Sequence, residues 1–503
     1  MPPARGSQAL QVLLLKPELL LQKVTEAGVC LSSEAFEILQ GLPEGEVERI
    51  LELLREELII TPEAISRLRE GPRESREEVP PPQPPEPKER EPGTTKVRVL
   101  RDITGQSNCK GELKDFVNLF RSRFQSLSTI LKSRPNLSSC VPLSALPRIE
   151  PGEEVRVVGM VAEKRETPKG HLVIELEDPA GRALVWAFKS GEVMSQAREV
   201  IPDEVIGVVG RLSERSGRLP SIFAKEILWP EFPQREWRGA EEPVCAAFIS
   251  DLHIGSQMFL EEMFKRFVSW LRGEGTGEKR ELAERVRYLF IAGDIVDGIG
   301  IYPSQEKELA IPDIFKQYEY AAELLSQIPE RITVVISPGN HDAVRAAEPQ
   351  PAIPREVAGR FYELGYQMVG NPCLLEVEGI RVLMYHGRSF DDLATVLGMD
   401  RHKPVAMMRA LLRRRHLSPF YGGRTALAPE NPDLMVVEEP PDIFHCGHLH
   451  VFEQATYRGV LFLNSGTFQG MTAYMKKQGI NPTPGYVPVV DLQTGKLTVM
   501  HFA

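Results

Sequence analysis

Five times in its C-terminal half the chain runs through a short apolar stretch and stops at Asp, Asn or His beside Gly or Pro. The stretches are VCAAFISDLHIGS, YLFIAGDIVDG, ITVVISPGNHD, IRVLMYHG and DIFHCGHLH. Apolar runs this short, bounded by turn residues, read as buried strands. In open α/β sheets, ligands bind beyond the carboxyl ends of the strands. One polar strand end carries little information. Five in series constrain residues 240–503 to an α/β domain whose strand ends share a site.

The residues at those ends are Asp251 and His253, Asp294 and Asp297, Asn340, His341 and Asp342, His386, and His448 and His450. Residues i and i+2 of an extended segment share a face. By that rule Asp251 goes with His253 and His448 with His450, while His445 points away as a packed strand residue. Gly447 reads as a tight turn before the pair. The chain has ten histidines in all, and His171, His402, His416 and His501 fall outside the clusters and read as solvated. Neutral imidazole is the commonest biological metal ligand. Carboxylate, amide and imidazole without thiolate suit Mn²⁺ first, with Fe²⁺, Zn²⁺ or Mg²⁺ as alternatives. Two such ions about 3.5–4 Å apart can activate water and clamp both oxygens of a phosphoryl displacement.

The ordered set D-x-H, G-D-x-x-D, G-N-H-D, H-G and G-H-x-H resembles the calcineurin-like metallophosphoesterases. Residues 95–503 are more closely similar to the small-subunit family of archaeal family D DNA polymerases. That likeness rests on DITGQSNCKGELKDFVNLFRSRF, GIGIYPSQEKELAIPDIFKQYEY, RHLSPFYGGRTALAPE and NPTPGYVPVVDL, besides the metal motifs. Residues 1–70 match it only in general character. The resemblance implies a four-layer metallophosphoesterase fold, two packed sheets with helices outside. It implies one ion on Asp251, His253 and His450, a second on Asn340, His386 and His448, and Asp294 bridging them. His341, with Asp342 beside it, is the expected general acid, and Asp342 and Asp297 are expected to stand behind the ligands, Asp297 alternatively as a local cap. The implied activity is a 3′–5′ exonuclease that trims mismatched ends of primer-template or single-stranded DNA. The implied partner is a large polymerising subunit in a heterodimer. A scaffold without activity is the first rival, but such relatives have lost metal residues and all seven stand here. A stand-alone phosphodiesterase or phosphatase is the second.

Ahead of the α/β region the chain reads as a series of smaller pieces. Residues 1–70 form a helical docking module, in which Val47, Ile50, Leu51, Leu54 and Leu58 follow helical spacing and Thr61–Pro62 opens another helix. Residues 71–95 form a Pro- and charge-rich linker. Residues 96–146 give a strand and an amphipathic helix leading into residues 147–235, whose short strands read as an OB-type barrel. On one strand face of that barrel Trp186 and Phe188 are expected to serve the core or a subunit interface.

A net charge of −10 excludes general coating of nucleic acid, so contact with DNA needs a local basic patch. The densest basic run, residues 401–425, supplies Arg409, Arg413, Arg414, Arg415 and Arg424 as candidate DNA contacts, with the partner subunit as the other candidate. Six scattered cysteines without a C-x-x-C pair read as reduced thiols. QALQVLLLKPELLL is broken by Lys16, Pro17 and Glu18, so neither a signal peptide nor a membrane span is expected, and a cytoplasmic, nucleoid-associated protein is.

Overall fold

The computed structural model describes residues 97–214 and 218–503, with 19–20, 23–24, 30–31, 33–54, 59–60, 65–66 and 68 nearer the N-terminus. The linker, Leu58 and the Thr61–Pro62 helix start lie outside the described residues. Residues 1–94 and 95–503 form two separate units.

In the first unit, β1 (Cys30–Leu31) precedes helices α1 (Ser33–Gln40) and α2 (Glu44–Leu53) and pairs in parallel with β2 (Ile59–Ile60). Helix α2 buries Val47, Ile50 and Leu51, the residues three and four apart that form one stripe of a helix. They meet Leu20, Ala35 and Leu39 in a small apolar cluster.

The second unit opens with β3 (Arg98–Arg101) and the twenty-residue helix α3 (Leu113–Lys132). A closed barrel follows, built from β4 (Glu154–Glu166), β5 (Leu172–Asp178), β6 (Gly181–Ala187), β7 (Val205–Leu212) and β8 (Ser221–Leu228), in the order β4-β5-β6-β8-β7. Helix α4 (Met194–Glu199) sits between β6 and β7. Alternate residues Ala183, Val185 and Ala187 of β6 fill the barrel core. That parity turns Trp186 and Phe188 to the outer wall, which corrects the core half of their expected role and leaves the subunit-interface half. Phe188 is 36% exposed and packs against Phe223.

The remaining chain gives two six-stranded sheets. The first comprises β9 (Cys245–Ile249), β10 (Val286–Ala292), β11 (Thr333–Ser337), β12 (Gln367–Met368), β18 (Tyr486–Asp491) and β19 (Leu497–His501), ordered β12-β11-β10-β9-β18-β19. The second comprises β3, β13 (Cys373–Val377), β14 (Ile380–Met384), β15 (Ile443–Cys446), β16 (Glu453–Tyr457) and β17 (Val460–Asn464), ordered β16-β17-β15-β14-β13-β3. The strand before the barrel therefore closes the far edge of the second sheet. Strands β9 to β12 are parallel to one another, as are β14, β15 and β17. Phe248, Phe290, Val335, Val382, Met384 and Ile443 lock the two inner faces together. His445 lies buried between them, edge-on to Phe248 and bonded to the Ser465 hydroxyl.

Helices α5 (Glu261–Leu271), α6 (Glu278–Arg285), α7 (Ile314–Leu325) and α8 (Arg355–Glu363) connect strands of the first sheet and carry buried residues of their own. Helices α9 (Phe390–Leu397) and α10 (Pro404–Arg414) cover the outer face of the second through Phe390, Leu393, Met407 and Leu411.

Buried ion pairs tie the barrel and α3 to this body. Arg123 of α3 meets Asp433 at 2.9 Å, both side chains being essentially inaccessible. His416 bonds the same carboxylate at 2.9 Å, so it is a core residue rather than the solvated one its sequence context suggested. Burial and the neighbouring Arg123 push His416 down to about 4 against the pull of Asp433. Arg414 pairs with Glu204 of the barrel at 2.5 Å, both 2% exposed. Glu204 also accepts the Trp229 indole N–H. Arg413 pairs with Glu199 and lies 3.8 Å above the Trp229 ring. Arg415 is buried on the carbonyls of Val437 and Glu438. Arg414 and Arg415 are thus buried in internal contacts, while the partly exposed Arg413 is engaged by Glu199 and the Trp229 ring.

Removing Arg414 would strand Glu204 as a buried, unpaired charge. Arg414→Ala should therefore lose about 3–5 kcal/mol in urea unfolding, and Arg414→Met with Glu204→Leu should recover most of it. An alanine variant within about 1 kcal/mol of the parent, the size of an exposed pair, would show that the pair does not hold the barrel.

Candidate metal centre

Each candidate ligand stands just past a strand. Asp251 and His253 follow β9, Asp294 follows β10, Asn340 follows β11, His386 follows β14, and His448 and His450 follow β15. Both sheets thus deliver their carboxyl ends to one rim. The backbone there is unusual. Among the described residues ten non-glycine positions have positive φ, and five of them are Asp251, His253, Asp294, His448 and His450. Such strain persists only where surrounding packing enforces it, and it gathers at functional sites. Gly339 and Gly447 are required for room. A Cβ at Gly339 would lie 2.2 Å from Asp294 Oδ1, and one at Gly447 2.4 Å from Asp251 Oδ2. The chain turns tightly at Gly447 as expected, the Leu449 amide donating to its carbonyl at 2.9 Å, but without a positive φ at the glycine itself.

Around Asp251 the imidazoles converge. His450 Nε2 is 3.3 Å from Asp251 Oδ1 and 3.0 Å from His253 Nε2. His253 Nε2 is also 3.7 Å from Asp294 Oδ2. On the other side of Asp294, His386 Nε2 lies 3.2 Å from Asp294 Oδ2 and 3.2 Å from Asn340 Oδ1. Asp294, His386 and His448 form a donor group there, as Asp251, His253 and His450 do on the first side. His448 and His450 are therefore divided between the groups. They do not point together, because strand alternation ends at Cys446.

The tautomers follow from the partners. His386 Nδ1 is 2.9 Å from the Ala292 carbonyl, and His253 Nδ1 is 3.0 Å from Asp297 Oδ1. A carbonyl or an ionised carboxylate can only accept, so each Nδ1 carries the hydrogen and Nε2 faces the centre. Once Nε2 gives up any proton it holds, lone pairs of nitrogen and oxygen confront each other at about hydrogen-bond distance, an arrangement that fits a cation. The charge balance agrees. Burial opposes protonation of His386, yet Asp294 and Asp251 push it up to about 10. Burial likewise opposes ionisation of Asp294, but His386 and then His341 hold it well below the usual carboxylate range. The residues present thus fit two divalent ions that share Asp294.

Of the two supporting carboxylates, Asp297 stands behind a ligand as expected and Asp342 takes a different partner. Asp297 orients His253 and also receives Gln305 and Gln469 amides. Its backbone carbonyl takes the His341 Nδ1 hydrogen at 2.7 Å. Asp342 does not hold His341. It accepts Tyr318 O–H at 3.0 Å and the Gly339 amide at 2.9 Å, bracing the loop that carries Asn340. His341 presents Nε2 at 4.0 Å from Asp294 Oδ2, and its backbone amide donates to Asp294 Oδ1. Burial pushes its ring down to about 4.

The structure adds residues that motif spacing missed. Asp391 faces His448 Nε2 at 3.6 Å and pairs with Arg401 at 2.9 Å. Arg388, two residues after His386, lines the cleft above the ligands together with Tyr302 and Tyr474. Only the HGRS context beside His386 could have signalled Arg388. Of the candidate DNA contacts, Arg409 and Arg424 stay exposed, the first over the Tyr457 ring and the second 4.0 Å from Asp391.

Residues 246–454 match the B-subunit family of DNA polymerases alpha and epsilon, and residues 155–228 match the OB-fold nucleic acid binding domain. The chain is 45% identical to the DNA polymerase II small subunit of Archaeoglobus fulgidus over 78% of each protein. It is 44% identical to that of Methanothermobacter thermautotrophicus, over 79% of this chain and 82% of the relative. With that of Halobacterium salinarum the figures are 39%, 81% and 78%. The chain belongs to the family of archaeal DNA polymerase II small subunits.

Because His386 is held near 10, it is protonated at neutral pH, and a cation entering its group must expel that proton. Calorimetric titration with Mn²⁺ should show proton release between buffers of different ionisation heat, with affinity rising from about pH 6 toward 9. Asp294→Ala should weaken both sites and Asn340→Ala only the second. Two intact sites in the Asp294 variant would exclude the shared carboxylate.

Proposed function

We propose that this chain has the metallophosphoesterase fold and is the nuclease subunit of a heterodimeric replicative polymerase, hydrolysing DNA phosphodiester bonds from the 3′ end. The observation that carries the reading is the pair of donor groups sharing Asp294 at the strand ends. Asp251, His253 and His450 would hold one ion and Asn340, His386 and His448 the other. When bound, two such ions supply an activated water and neutralise charge at the phosphoryl oxygens. Mn²⁺ suits the oxygen and imidazole set.

The chain's own groups do the positioning. Asp297 fixes the His253 ring, and the Ala292 carbonyl fixes His386. His341 is neutral at pH 7, so it enters as a hydrogen-bond acceptor through Nε2. It delivers a proton to the leaving 3′ oxygen only after taking one up within the reaction. Exposed Arg409 and Arg424 remain candidates for the DNA backbone. The relatives are named as small subunits, and on that ground we read a large polymerising subunit as the partner.

Digestion of a 5′-labelled primer with a mismatched 3′ end tests the reading. Purified protein with Mn²⁺ should shorten it stepwise from the 3′ end, and chelator should stop the reaction. An intact primer beside hydrolysis of small phosphodiesters would favour a stand-alone phosphodiesterase.

The neighbours Asn340 and His341 separate binding from turnover. His341→Ala should keep both metals and lose roughly 10²–10⁴-fold in kcat. Asn340→Ala should recover as Mn²⁺ is raised. Equal rescue of the His341 variant by Mn²⁺ would make His341 a ligand with His253 and Asp294, which its position also permits.

A further inference from the structure

We infer that the cleft above the donor groups is built for an unpaired terminal nucleotide, with Arg388 on a phosphate and Tyr474 stacked against the base. The inference rests on the nuclease reading and specifies what that site accepts.

Two kinds of side chain line the cleft beside the ligands. A basic cluster borders His448. Within it Arg401 is tied to Asp391, whereas the half-buried Arg388 makes no side-chain hydrogen bond or ion pair among the described residues. A partly desolvated guanidinium without a bonded carboxylate is suited to bidentate binding of phosphate. An aromatic cluster borders His341. The Tyr302 ring lies 6.4 Å from His341 and stacks on Tyr474 at 5.3 Å and 28°. Tyr302 is anchored through its hydroxyl to Glu308. Tyr474, the outer ring of the series, is 40% exposed, and Ile301 at the same cleft is 37% exposed. In a chain of net charge −10, an open aromatic face next to an unpaired arginine matches the two surfaces of a nucleotide, base and phosphate.

The pairing selects for unstacked ends. A base inside a duplex has both faces covered, so only a splayed nucleotide can stack on a side chain. Asp294, 2% exposed, lies below the cleft, so the reacting phosphate must descend to it. Enzymes acting at recessed sites take the nucleotide out of the helix or use single strands. Stacking on Tyr474 therefore favours frayed, mismatched ends without reading base identity.

The test is equilibrium binding of the full chain, in EDTA to prevent cutting, to a 5′-dye-labelled single-stranded oligonucleotide. The oligonucleotide ends 3′ either in an ordinary nucleotide or in an abasic one. The parent should bind the ordinary end roughly tenfold more tightly. Tyr474→Ala should erase that preference and Tyr474→Phe should keep it. Arg388→Ala should weaken both ends alike and reduce the salt slope by about 0.7. Equal binding of the two ends by the parent, or a preference that survives Tyr474→Ala, would overturn the inference. Because this readout needs no hydrolysis, ends held but never cut would sink the nuclease reading alone. Cutting without preference for a terminal base would sink only the stacking.

Discussion

Asp294 is the group on which the rest of the site depends. It is a carboxylate buried to 2% at the end of a central strand, facing His386 on one side and His253 on the other. An isolated charge at that depth would cost several kcal/mol. It is tolerated because imidazoles, the His341 amide and, in our reading, two cations surround it. Every neighbouring feature serves that enclosure. Gly339 gives way to its oxygen, and Asp342 braces the Gly339 loop from behind. Left-handed backbone at five ligand positions aims their side chains inward.

Rigidity for this strained rim comes from the apolar core between the sheets. Phe248 and Phe290 stack there, and the strands that carry Asp251, Asp294 and Asn340 are adjacent and parallel. Neighbouring parallel strands put their carboxyl ends side by side, which is why three motifs far apart in the chain meet. The second sheet repeats the device with β14 and β15, and the packing of the two sheets brings its histidines over the first.

The barrel and the long helix α3 are bound into this body by buried ions, whose cost makes them selective of one arrangement and sensitive to loss of a partner. Arg414 with Glu204 and Arg123 with Asp433 each join residues from distant parts of the chain. The most basic stretch of an acidic chain is thereby used largely for internal assembly. In our reading, contact with DNA falls instead to the cleft, where Arg388 and the tyrosines lie beside the ligands. The outer barrel wall, with Phe188 and Phe223, is left open.

Much of the α/β architecture was legible because it is written locally. An apolar run closed by a turn residue is a buried strand wherever it occurs, and five polar terminations in series point to one rim. The stripe of Val47, Ile50 and Leu51 announced its helix for the same reason. What failed was reasoning carried past the ends of those elements. His448 and His450 part company because alternation holds only while the chain is extended. Asp342 does not hold its neighbour His341, because loop paths, not sequence adjacency, decide who touches whom; that ring instead bonds the Asp297 carbonyl. Arg413 to Arg415 and His416 look solvated in a basic run, yet their partners Glu199, Glu204 and Asp433 come from the barrel and a distant loop. Residue type and local period determined which strands form and which atoms can bind a cation. Only the tertiary fold decided which of those atoms meet, because meeting depends on backbone direction and on charges paired across hundreds of residues.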